Sequence, residues 1–168
     1  MNIRTTSLLS RFIIFLLLQV LVFNQWVFFG AVFPSVYIFF ILSYPFDADS
    51  QEVTFVGFLL GLCLDIFTQS PGSHTIASLT IAALRPVAIS LCLGLTTDFS
   101  SIFSRRIKNL NLFYFLSVMI FTHQLIYFSM LYFNWEARVQ ILLQTVYNFL
   151  VSLLFIFLTL NLYSRDDS

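Results

Sequence analysis

Of 168 residues, 59% are hydrophobic and only 10% charged, with eight basic and eight acidic side chains and no net charge. Soluble domains carry about 25% charged residues, so a mean hydropathy of +0.91 excludes a water-soluble fold and predicts an all-α, polytopic membrane protein with little outside the bilayer. The absence of net positive charge argues against nucleic acid as a partner.

Six apolar segments can be drawn, at about 8–29, 33–46, 52–68, 73–95, 110–133 and 138–163. The first follows Arg4 and Arg11 as a signal peptide would, but no small-x-small cleavage site comes after it, and we read it as a retained helix. The second is short for a core of about 30 Å and is bracketed by Pro34 and Pro45, which marks it as tilted, broken or re-entrant. The third, "GFLLGLCLDIF", places Gly57, Gly61 and Asp65 four residues apart, in one stripe of a helix. Gly57 and Gly61 form a small-xxx-small pair, expected to pack on Ser78 and Ala82 of the fourth segment. A carboxylate in lipid costs about 2.5–3.5 kcal/mol at the bilayer centre. Asp65 is therefore expected to face the polar groups of the 71–74 turn, and Asp65→Asn to leave accumulation unchanged.

Pro71-Gly72 reads as the turn into the fourth segment, with Ser73 as its cap. Arg85 lies deeper in that segment, eight residues from the level of Asp65, or about 12 Å at helical rise. A direct ion pair is not expected. Instead, Pro86 can free a carbonyl for the guanidinium. Residues 97–110 ("TDFSSIFSRRIKNL") suit either a helix lying on the membrane surface or a basic loop. Helix five carries His123, and helix six a polar stripe of Gln140, Gln144, Asn148 and Ser152. Folded back about residues 135–136, the two helices would bring a neutral His123 level with Asn148 near mid-membrane.

With both ends cytoplasmic, Arg4, Arg11, Arg105, Arg106, Lys108 and Arg165 lie inside and Arg138 alone outside, a clear positive-inside bias. Trp26, Tyr132 and Trp135 then fall at the outer interface. Cys63 and Cys92 sit in apolar runs as small hydrophobes. No phosphate-binding loop, zinc spacing or nucleophile elbow is present in the sequence, and no catalytic residue, cofactor or metal ligand is expected. One domain, 1–168, covers the chain.

Between residues 30 and 90 the sequence resembles the rod-shape-determining MreD family. The resemblance rests on the order and spacing of Pro34, Tyr44-Pro45, Gly57, Gly61, Asp65, Gly72 and His74, with Arg85-Pro86 as in one branch of the family; the Gln69-Ser70-Pro71 stretch departs from it. The resemblance implies a fold similar to the substrate-binding subunits of vitamin (ECF-type) importers. It also implies a non-enzymatic scaffold of the bacterial inner membrane that binds MreC and, through it, MreB, RodA and its penicillin-binding transpeptidase. The alternative it leaves open is a small-molecule-binding subunit of such an importer.

Overall fold

A computed structural model describes residues 3–25, 32–45, 47–94 and 109–163. Trp26, the 97–108 stretch with Arg105, Arg106 and Lys108, and Arg165 lie outside these residues. Among those described, the long elements are helices: α1 (Ile3–Leu18, continued by a π-helical turn Gln19–Phe23), α2 (Ile38–Leu42), α3 (Ser50–Thr68), α4 (Ser73–Leu93), α5 (Asn109–Tyr132) and α6 (Arg138–Tyr163). All but α2 are long and apolar enough to cross a membrane. Their outward faces carry Leu21, Ile66, Leu91, Val118 and Leu154, all exposed, as lipid-facing side chains are.

Five such helices replace the six expected. The 33–46 segment yields only the five residues of α2, every one of them at most 6% exposed. The two prolines explain the shortness. Pro34 biases the residue before it away from helix, and Pro45 stops α2 from continuing.

The chain nevertheless crosses the bundle there. Thr5, Leu8 and Phe12 at the start of α1 surround a cavity with Glu52 and Val56 at the start of α3. Val20 and Asn24 at the other end of α1 border a second cavity with Phe67 and Thr68 at the end of α3. The two helices are thus parallel neighbours, and the link between them must return across the length of α3, 19 residues or roughly 28 Å. Residues 32–44 make that return through the interior. Phe33 packs its ring on Tyr127 at the α3–α4 turn end, with centroids 6.0 Å apart. Tyr44 bonds Glu52 at the opposite end, 2.6 Å away.

The remaining helices alternate in direction. The rings of His74 in α4 and Tyr127 in α5 meet at 4.6 Å. Phe121 and Phe113 of α5 pair with Phe149 and Phe157 of α6 at 5.6 and 5.8 Å. α1 therefore starts, and α6 finishes, at the same end of the bundle. Cys63 and Cys92 are free thiols, partly buried against the core.

Candidate functional site

The α3–α4 hairpin is built on close backbone approach. A methyl group added at Gly61 would lie 2.6 Å from the Thr75 Cα and 2.7 Å from the His74 carbonyl oxygen. At Gly57 it would lie 2.8 Å from the Ala82 Cβ and 3.3 Å from the Ser78 carbonyl oxygen. The glycine face meets Ser78 and Ala82 as the spacing predicts, and it extends one turn further to Thr75.

Asp65, 6% exposed, ends this face. Its Oδ1 accepts from the His74 backbone N–H at 3.0 Å and from the Ser70 hydroxyl. Its Oδ2 accepts from the Thr75 N–H at 2.8 Å and the Thr75 hydroxyl at 2.5 Å. The carboxylate of α3 is thus the N-terminal cap of α4, engaging first-turn N–H groups that have no intrahelical partner. Ser73 does not cap: it is the first residue of α4, and Gly72 before it supplies no side chain. Gly72 serves through its φ of +85°, a backbone state open to glycine. Four donors on one carboxylate argue against the expected tolerance of Asp65→Asn. An amide has one acceptor oxygen, and its NH₂ would face a donor.

The 32–44 crossing solves a different problem. Most of its backbone is not helical, so in a membrane its N–H and C=O groups need partners from the protein. Polar side chains on α1, α4 and α6 provide them, and one on α5 holds the side chains involved. From α1, Gln19, fully buried, accepts at Oε1 from the N–H of Val36 (2.9 Å) and Tyr37 (3.3 Å) and donates from Nε2 to the Pro34 carbonyl (3.0 Å). From α6, Asn148 Oδ1 accepts from the Phe33 N–H (2.9 Å), and the Ser152 hydroxyl from the Ser35 N–H (2.9 Å). From α5, Gln124 Nε2 donates to the hydroxyls of Ser35 (3.1 Å) and Ser152 (3.0 Å). From α4, Arg85, 3% exposed, donates to the Tyr44 carbonyl. Arg85 and Asp65 form separate contacts, as their depth predicts, but the carbonyl that Arg85 uses is that of Tyr44.

The polar faces of α5 and α6 meet as expected, through Gln124 and Ser152, but His123 and Asn148 do not bond each other. The crossing lies between α5 and α6 there, and Gln124 makes the interhelical contact. His123 instead points to Tyr37, at the centre of the crossing. The Tyr37 hydroxyl lies 2.6 Å from His123 Nε2 and 2.9 Å from His74 Nδ1, and all three residues are at most 2% exposed. The His74 ring also borders a cleft of about 540 Å³ at the hairpin end, walled by Phe33, Phe67 and Tyr127 and edged by Asn24, Gln25 and Gln69.

Pro34, Gly57, Gly61, Asp65, Gly72, His74, Arg85, His123 and Asn148 thus divide between two constructions joined at His74. Sequence reasoning missed Tyr37 and Gln19, one an aromatic in a chain with 22 Phe and 7 Tyr, the other an isolated amide in an apolar run. The amide was the readable signal, since a polar group inside a membrane helix needs a partner. Compared with protein-family models, curated proteins and solved structures, the chain matches none.

Proposed function

We propose that this protein is a non-catalytic scaffold of the bacterial cell-elongation machinery, of the MreD kind, which guides peptidoglycan synthesis and maintains rod shape by binding MreC. One observation carries the reading: Pro34, Gly57, Gly61, Asp65 and His74, residues that carry the resemblance, all make fold-building contacts. Pro34 opens the crossing and accepts from Gln19. Gly57 and Gly61 let α3 touch α4, Asp65 caps α4, and His74 joins the hairpin to Tyr37. A pattern spent on architecture suits a protein that works by presenting surfaces. The bias read from the sequence, six basic residues in one set of loops against one in the other, supports both termini in the cytoplasm and the hairpin end on the periplasmic side of the inner membrane.

The test is co-purification of the tagged protein from its native membranes after mild crosslinking. MreC, identified by mass, is the expected companion, and the elongation synthases follow with it. An ATPase module in its place would overturn the scaffold reading in favour of an importer subunit. Recovery of the protein with neither would also overturn it.

A further inference from the structure

The chain Tyr37 makes with the two histidines has a direction, and it ends in the cleft. The Tyr37 hydroxyl also lies near the Ser78 hydroxyl, whose buried proton has no other acceptor among the described residues and goes to the Tyr37 oxygen. The single proton of Tyr37 therefore goes to one of the two rings. His123 settles which. Its far nitrogen, Nδ1, is buried without a partner. A buried N–H with no acceptor is costlier than a buried lone pair, so Nδ1 is the bare nitrogen and Nε2 carries the proton. His123 therefore donates to Tyr37, and Tyr37 donates to His74 Nδ1. His74 must then carry its own proton on Nε2. That nitrogen makes no hydrogen bond with the described residues, although the residue is 2% exposed and its ring lines the cleft.

From this we infer that the cleft is a binding site for a small, uncharged, flat molecule that presents a carbonyl-type acceptor to His74 Nε2–H. A volume of about 540 Å³ lies within the range of small-molecule sites, roughly 300–1,000 Å³. None of the described lining residues is Asp, Glu, Lys or Arg, so an ionised ligand would enter with its charge unpaired. Phe33, Phe67 and Tyr127 offer ring faces. This inference goes beyond the scaffold reading and does not depend on it, since a scaffold and a transport subunit are equally able to hold such a ligand.

The probe is 7-amino-4-methylcoumarin, a neutral fluorescent ring with a lactone carbonyl. Its anisotropy is followed on the protein in lipid nanodiscs, with empty discs measuring partition into lipid. Saturable binding above the empty-disc signal is expected. His74→Phe, which keeps a ring and removes the donor, should weaken it about fivefold, the factor supplied by one net hydrogen bond. Leu131→Trp, which fills the cleft from its edge without touching the histidines, should abolish it. Indole, flat but lacking an acceptor oxygen, should compete at least fivefold less well than unlabelled coumarin. Signals equal to empty discs, or binding that Leu131→Trp leaves intact, overturn the site. Indole competing as well as coumarin overturns the assigned direction of the chain. Should His74→Phe fail to accumulate, Leu131→Trp and the indole comparison still decide. Loss of MreC co-purification would sink the scaffold reading and leave these outcomes untouched.

Discussion

The α3–α4 hairpin and the 32–44 crossing sit side by side, and they solve the membrane's demand for paired backbone groups in opposite ways. In the hairpin each helix satisfies its own backbone. What remains is shape, met by two glycines, and a single open helix end, met by Asp65. In the crossing the backbone leaves helical geometry, and Gln19, Arg85, Asn148 and Ser152 come from elsewhere to complete it. The first region is sensitive to added volume and the second to lost polarity. That contrast explains why so apolar a chain keeps fully buried Gln19, Gln124, Asn148 and Ser152. Each has a backbone segment, or the side chains that hold it, to complete.

Four substitutions separate the two kinds of dependence. The largest effect is expected at Gly61→Leu. Even a methyl group there meets backbone atoms at 2.6–2.9 Å, and overpacking that the surroundings can absorb already costs about 1–3 kcal/mol. Membrane accumulation should be lost, and a Gly61→Leu protein present at wild-type levels would break the account of the hairpin. Next comes Gln19→Leu, nearly equal in size and more apolar, which a lipid-exposed site would welcome. Here it leaves two N–H groups and one carbonyl unpaired, at about 1–3 kcal/mol per group. The expected result is a large drop in the thermal midpoint in detergent, and a rise instead would mean that the crossing does not rely on α1.

Asp65→Asn should cost about 1–3 kcal/mol, since a capping acceptor becomes a donor facing the start of α4. Reduced accumulation is the expected readout. Unchanged levels with weakened partner capture would give Asp65 a docking role in place of a structural one. The smallest effect is expected from Tyr37→Phe, which removes one hydroxyl and its hydrogen bonds but keeps the ring packed. A loss of about 1 kcal/mol, or about 2–4 °C at the midpoint for a chain of this size, would place the tyrosine's main contribution in packing. A collapse as severe as that of Gln19→Leu would show the His–Tyr–His chain to be the keystone of the crossing.

The hairpin was legible in the sequence because all of its determinants are local and periodic. Gly57, Gly61 and Asp65 share one stripe, Gly72 marks a turn, and Ser78 and Ala82 answer the glycines at the same spacing. Only the cap was misassigned, to Ser73, because a side chain from the preceding helix has no local signature. The crossing was half legible. Pro34 and Pro45 announced a defective segment, and the four-residue repeat on α6 announced Asn148 and Ser152 as inward-facing. What those amides bond to was not readable. Periodicity gives the face of a helix, whereas their partner is the main chain of a segment more than a hundred residues away. Its backbone groups leave no trace in residue type. Tyr37 was hidden for a related reason: a hydroxyl that bridges two distant helices looks the same in sequence as one at an interface.

The shortness of the crossing also bears on how the chain is made. Insertion machinery recognises a span by its length and hydropathy, and the 34–45 stretch, though apolar, is too short and ends in prolines on both sides. The groups that complete Phe33 and Ser35 are synthesised 115 and 117 residues later. Order of synthesis therefore runs against order of need. Because α1 and α3 run the same way, the link between them spans the membrane as soon as both are placed, and we expect its open N–H groups to be held by water until α6 emerges. Closure of the crossing is then the last step of biogenesis, and in a chain stopped after α5 the N–H groups of Phe33 and Ser35 should exchange with solvent faster than in the full chain. Equally slow exchange in that shortened chain would show that α6 is not required for the crossing to close.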